Sequence, residues 1–444
     1  MREIVKKALE LAKNKSKGDA EVYFQHTKRA RVFFEKNELK TLHEDEMNGI
    51  GVRVVKDGKL GFGASNTIEE DDLAVLIDDA VRAMEKSQAD PGNVLPDPAD
   101  IKEIPGLYSK ELGEYNLPKV LELGKLLFET VKKIDSRITI DSAQVQLTVT
   151  DSRLVNSRGI SATKSKSSLS YVIMGMAIDG NDISSFDYRY GMILNPEEIE
   201  SKLHEAAQSF ANSVLGSLGA KPCNSFKGLA LLSPSTVERL IIMPLSFLLS
   251  GENILENRSP FKEKIGEKIA GENLTIYDDP TIPYNPYSTP FDREGVPTKR
   301  LTLIENGVLK TFIHNAYSAT LLKAPMTGHA TGDYSSLPEI SIYNAVIEGE
   351  IPLDDIYKMI DKGVYVNRFS GNINPVNGLF SGAVKGGWYL ENGNRIHPVT
   401  GTLVSGNALE LLNHIVAVSR EREQTTMGEL PYILVDTVSF TGKQ

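Results

Sequence analysis

Asp57-Gly58 interrupts a run in which Val52, Val54, Leu60 and Phe62 fall on alternate positions. A turn dipeptide that tolerates positive φ, set inside period-two hydrophobicity, leaves residues 51–64 one regular option, a β-hairpin. Two further turns, Glu305-Asn306-Gly307 and Glu391-Asn392-Gly393, resemble each other and are flanked by β-rich runs. Around these fixed points the spacing predicts helices over 3–15, 69–86 and 117–134, and strands over 20–26, 29–35, 138–150, 167–178 and 183–189. Asn195, Pro196, Glu197 and Glu198 form a helix start for 196–215. Small and polar residues dominate 216–228, the expected boundary between two domains, 1–220 and 221–444. Beyond it a strand at 229–232 leads to a helix capped by Ser233 or Ser235 and running to about 249. Residues 278–298 carry five prolines and read as a long loop. Hairpins then dominate, with short helices near 353–360 and 408–417. The class is α+β: a mixed first domain and a mainly β second one.

Charge and cysteine usage narrow the function. With 49 basic and 59 acidic residues in 444, the formal net charge is −10. Such a chain has no global field to draw in nucleic acid or an anionic membrane. Its one cysteine, Cys223, permits no intrachain disulfide and no zinc site with two cysteine ligands. The most apolar run, residues 240–249, contains Pro244 and is half the length a bilayer needs, about 20 residues. The N-terminal helix is amphipathic and lacks the continuous apolar core of a signal peptide. The expectation is a cytoplasmic protein with no membrane and no direct nucleic-acid partner.

None of the seven histidines completes a recognisable metal motif. A zinc-peptidase helix needs two imidazoles and a glutamate on one face. His204-Glu205 begins that way, but Ala206, Ala207, Gln208 and Ser209 follow. His43-Glu44-Asp45-Glu46 reads as an acidic, turn-like stretch. His329 sits among small residues, Thr327 to Asp333, which suits either close approach of a ligand or a tight connection. His397 and His414 read as structural, and Cys223 as a small buried hydrophobe. The paired glycines at 49 and 51, and at 61 and 63, punctuate a hairpin and not a phosphate-binding turn.

Five blocks together resemble one family. They are Gly49 to Phe62; Asn156-Ser157-Arg158-Gly159 with the strand from Ser167; Ser288 to Val296 continuing to Glu305-Asn306-Gly307; Asn374 to Gly382 with Trp388 to Gly393; and Val404-Ser405-Gly406-Asn407 leading into Asn413 to Val418. In this order they resemble the TldD/PmbA proteins, long labelled modulators of DNA gyrase, across nearly the whole chain. The resemblance implies a curved sheet flanked by helices in the first domain and a barrel-like, metallopeptidase-like second domain. It also implies a cytosolic system of two homologous subunits acting on flexible or unfolded peptides. In the catalytic subunit a His-Glu-x-x-x-His helix and a late cysteine hold zinc. Here the corresponding helix, about 237–249, contains Glu238 and no histidine, and no cysteine follows Ala417. The chain thus resembles the PmbA (TldE) branch.

The expectation is therefore a non-catalytic subunit that binds no cofactor itself, pairs with a zinc-bearing TldD-like subunit or with itself as a dimer, and helps hold a peptide. No catalytic or metal-ligating residue is assigned. Asp292, Arg293 and Glu294, within 283–297, and His329 are the expected cleft or interface residues, with a plain structural turn the competing reading for each. Two alternatives stand beside this one. One is a self-sufficient peptidase with an atypical metal site built from scattered His and Asp residues. The other is a homodimeric peptide-binding or regulatory scaffold.

Overall fold

The computed structural model describes residues 2–442. Helix α1 (Arg2–Ser16) is followed by three antiparallel strands, β1 (Asp19–Glu35), β2 (Glu38–Lys56) and β3 (Lys59–Ser65). Next come α2 (Glu70–Lys86), a short α3 (Lys110–Gly113) and α4 (Leu117–Ile134). Two long strands, β4 (Ile138–Asn156) and β5 (Ser161–Asp179), join the same sheet, with β6 (Asp182–Ile183), β7 (Asp187–Ile193) and α5 (Ile199–Gly216) behind them. The order is β3-β2-β1-β4-β5, with β6 and β7 both paired to β5.

Residue parity along β1 explains this half. Six of its even-numbered residues face the helices: Ala20, Val22 and Phe24 pack with α1 and α2, while Ala30, Val32 and Phe34 pack with α4. A strand of 17 residues spans about 55 Å, long enough to carry two helix pairs in a row. Between Ala20 and Phe24 the odd residues are buried too. There Glu21 and Tyr23 meet the second half of the chain, so the sheet is covered on both faces at that end.

The second half is built on a nine-stranded sheet whose centre is β8 (Phe226–Leu232), flanked by the strands Glu429–Gly442 and Lys362–Val366. The helical segments Pro234–Val237, Met243–Leu249 and Gly251–Leu255 pack on it. A four-stranded sheet around Ile276–Asp278 closes the far side of the largest apolar core. Strand content of 41% against 25% helix fits the α+β reading, and the sheets curl into half-barrels.

All three turn signals hold. Asp57-Gly58, Asn306-Gly307 and Asn392-Gly393 each place both central residues at φ between 48° and 79°, and each closes a two-residue hairpin. Four expectations need correction, the first being the strand at 183–189, which is broken at residues 184–186 between β6 and β7. Residues 43–46 are not a turn: they lie within β2, where each pairs across to β1. The runs 20–26 and 29–35 are one strand, because Thr27 and Lys28 pair without a break to both β2 and β4. The helix expected at 408–417 ends at Leu411, and the strand Ile415–Gln424 follows, since Ile415, Ala417 and Val418 are apolar and pair with the C-terminal strand.

Candidate functional site

The segment from Ser233 to Leu249 begins with a sequence-encoded cap. Ser233 Oγ accepts the Thr236 amide at 3.2 Å, with Pro234 at the first helical position. From Glu238 to Ile242 the helix widens into a π turn before returning to α-helix at Met243. Single π turns of this kind recur at functional sites. Residues 237–249 include no histidine, so no register of a His-Glu-x-x-x-His pattern is filled here, and Val237 and Ile242 are both fully buried.

The glutamate is engaged as well. Its two carboxylate oxygens accept the Thr426 amide at 2.6 Å and the Thr426 hydroxyl at 2.7 Å. Thr426 belongs to the C-terminal segment, where the resemblance implies a cysteine in catalytic relatives. The residues present do not fit a zinc ion: the helix offers no imidazole or thiolate from 237 to 249, and its carboxylate is occupied. Among the described residues, no group of three or more His, Cys, Asp or Glu side chains lies close enough to share a metal.

Beside this helix lies a cleft of about 350 Å³, lined by Glu238, Arg239, Met243, Arg189, Arg368 and Glu423 among others. Its wall is β7, joined to the second half by a reciprocal amide pair. Gln424 Nε2 donates to Met192 O at 3.0 Å, and the Met192 amide donates back at 2.5 Å. Behind the wall, Asp187 binds Arg189 Nη1 at 2.9 Å, Arg368 Nε at 2.8 Å and Asn367 Nδ2 at 3.2 Å. Burial works against the Asp187 charge, but Arg189 and Arg368 prevail and hold its pKa below the usual carboxylate value. A second cavity, about 480 Å³, shares Arg189, Asn367 and Glu423 with the first and continues past Trp388 and Arg395. Sequence reading missed this cluster. Its one signal was a charged pair, Asp187 and Arg189, inside a strand of otherwise aromatic and apolar character.

The four residues singled out from sequence lie elsewhere and all are buried, with Arg293 and Glu294 in the seam between the two halves and His329 among second-half residues. Arg53 on β2 bridges Glu21 and Glu294, each at 2.7 Å, and Arg293 Nη1 reaches Glu21 at 3.1 Å. The second Glu294 oxygen accepts the Ala316 amide at 2.6 Å. Asp292 caps its own turn, accepting the amides of Glu294, Val296 and Ala330 at 2.8, 2.9 and 3.1 Å. Burial, with Glu294 nearby, pushes its carboxyl up to about 7. His329 Nε2 stands 2.9 Å from Asp278 Oδ2, at an angle outside hydrogen-bond geometry, while Nδ1 contacts Thr327 at 3.0 Å. Asp292, Arg293 and Glu294 thus share one locked turn. Arg293 borders one cavity and Glu294 another, smaller one, both distinct from the Glu238 cleft.

Residues 227–442 match the PmbA/TldA metallopeptidase C-terminal domain, and residues 20–84 match PmbA/TldA metallopeptidase domain 1. An uncharacterised protein of Methanocaldococcus jannaschii is 31% identical over 90% of this chain and 91% of its own length. A protein named metalloprotease PmbA homolog, from Buchnera aphidicola, is 24% identical over 99% of this chain and 96% of its own. Among solved structures, one from Thermotoga maritima described as a modulator of DNA gyrase superposes with a TM-score of 0.89. It is 25% identical and the match covers 99% of this chain and all of that one.

Proposed function

The chain belongs to the TldD/PmbA family, and from that premise we propose that it is the non-catalytic, PmbA-like partner in a metallopeptidase assembly acting on flexible peptides. The observation that carries this reading is a helix, 237–249, that contains no histidine and whose one carboxylate, Glu238, is held by Thr426. Its side chains supply neither imidazole ligands nor a free general base. Zinc and bond cleavage then belong to a homologous TldD-like subunit, and the assembly works in the cytoplasm.

This chain's share of the work is to shape the chamber and hold peptide. The end strand Arg368–Ile373 has one sheet neighbour, Leu379–Lys385, and starts at the cleft wall with Arg368 and Phe369. A free edge beside a cleft suits addition of an extended peptide strand, which is recognised through its backbone more than its sequence. Native mass measurement of the chain, alone and co-expressed with a motif-bearing paralogue, tests the pairing. A stable mixed complex that cleaves a flexible peptide, while this chain alone does not, is the expected result. A homodimer that ignores the paralogue would overturn it.

A further inference from the structure

Lys164 and Lys166 sit two residues apart on β5, so their side chains leave the same face of the strand. Both border a cavity of about 400 Å³ at the seam between the halves, away from the Glu238 cleft, and no carboxylate residue lines it among the described residues. Each ammonium carries three donors. Lys164 directs two of them at neutral acceptors, Thr289 Oγ1 at 2.8 Å and the Phe291 carbonyl at 3.1 Å, and Lys166 directs one at the Pro286 carbonyl. Neither makes an ion pair. Asp292, which does act on Lys164 through space, has its oxygens taken by the three amides described above. Three tyrosines, Tyr23, Tyr287 and Tyr343, also line it, together with Arg293 and small hydroxyl and proline residues.

We propose that this cavity is an oxyanion site, taking a carboxylate or phosphate carried on an aromatic or apolar body. Two ammonium groups face one partly enclosed space with unused donors and no counter-charge, and the tyrosines give the ligand's body a surface to pack on. Burial and then repulsion from Lys166 bring Lys164 down to about 7, and burial brings Lys166 down to about 8. A bound anion relieves both effects, so binding is strong below pH 7 and fades as the pair loses its protons.

Titration calorimetry of the full chain at pH 6.5 and 9.5 tests this with inorganic phosphate, N-acetylphenylalanine and N-acetylphenylalaninamide. The acid or phosphate should bind at the lower pH, weaken at the higher, and lose about tenfold in affinity in Lys166→Met, while the amide stays silent. Tighter binding of the acid marks a peptide carboxylate as the source, and tighter binding of phosphate marks a phosphate ester. Because either lysine also tethers the 286–291 loop, a second measurement uses the unaltered chain. Isotope-labelled acetic anhydride, read by peptide mass, should acetylate Lys164 more slowly with ligand present while exposed Lys40 is unaffected. Equal binding of acid and amide, or no heat and no protection of Lys164, would overturn the proposal.

Discussion

Thr426 donates both its amide and its hydroxyl to Glu238, one to each carboxylate oxygen. The pair ties the C-terminal segment to the π turn across 188 residues of sequence and uses the carboxylate as a structural acceptor. Thr426→Val keeps the amide bond and loses the hydroxyl, which should cost about 1 kcal/mol in urea unfolding because the contact is exposed. In the mixed assembly, Glu238→Gln should leave peptide hydrolysis intact, whereas a glutamate that activates water could not be so replaced.

Arg53 is the single cation between Glu21 and Glu294, and it links β2 to a turn 241 residues later. Arg53→Met leaves two buried carboxylates, with Arg293 still on one of them. Breaking a buried network in this way costs roughly 3–5 kcal/mol. Chemical denaturation of the variant should show that loss, and a loss under 1 kcal/mol would mean the seam is not held by charge.

His314 is buried, with Nδ1 3.2 Å from Ser318 Oγ. Burial, aided by His329, lowers its pKa to about 4 from an ordinary 6.5. As pH falls the unfolded chain takes up this proton first, so the stabilising contribution is complete above 6.5, declines through the window to about 4, and is gone below it. The span is worth roughly 3 kcal/mol. Stability curves of the parent and His314→Gln should converge between those pH values; parallel curves would remove His314 as the cause.

Gly307 and Gly393 occupy the same position of matching turns, at φ 79° and 77°. Their surroundings differ: a Cβ on Gly307 would meet the Ala270 carbonyl oxygen at 2.3 Å, whereas on Gly393 the nearest atom is 3.2 Å away. Gly393→Ala should therefore cost only the left-handed backbone strain, about 1 kcal/mol. Gly307→Ala should cost more, because backbone must move. Thermal unfolding of the two variants orders them.

The hairpins were legible because their turns are local, and each dipeptide fixed a backbone shape that its flanking alternation then required. The unbroken course of β1 was not, since Thr27 and Lys28 gain their place from β2 and β4 on either side. The site divided similarly. The lack of histidine across 237–249 is readable from one sequence, but the capture of Glu238 by Thr426 is a tertiary fact. Asp292, Arg293 and Glu294 stood out as charges in a proline-rich loop. What sequence could not supply was their partners, Glu21 and Arg53, more than 200 residues away.

Whether this chain can cleave peptide by itself separates a non-catalytic subunit from a self-sufficient peptidase. The direct measurement is hydrolysis of a flexible, unstructured peptide by the purified chain with added zinc, with and without chelator. No cleavage above the protein-free rate is predicted under either condition, and cleavage should appear when a motif-bearing paralogue is added. Zinc-dependent, chelator-sensitive cleavage by the chain alone would contradict it.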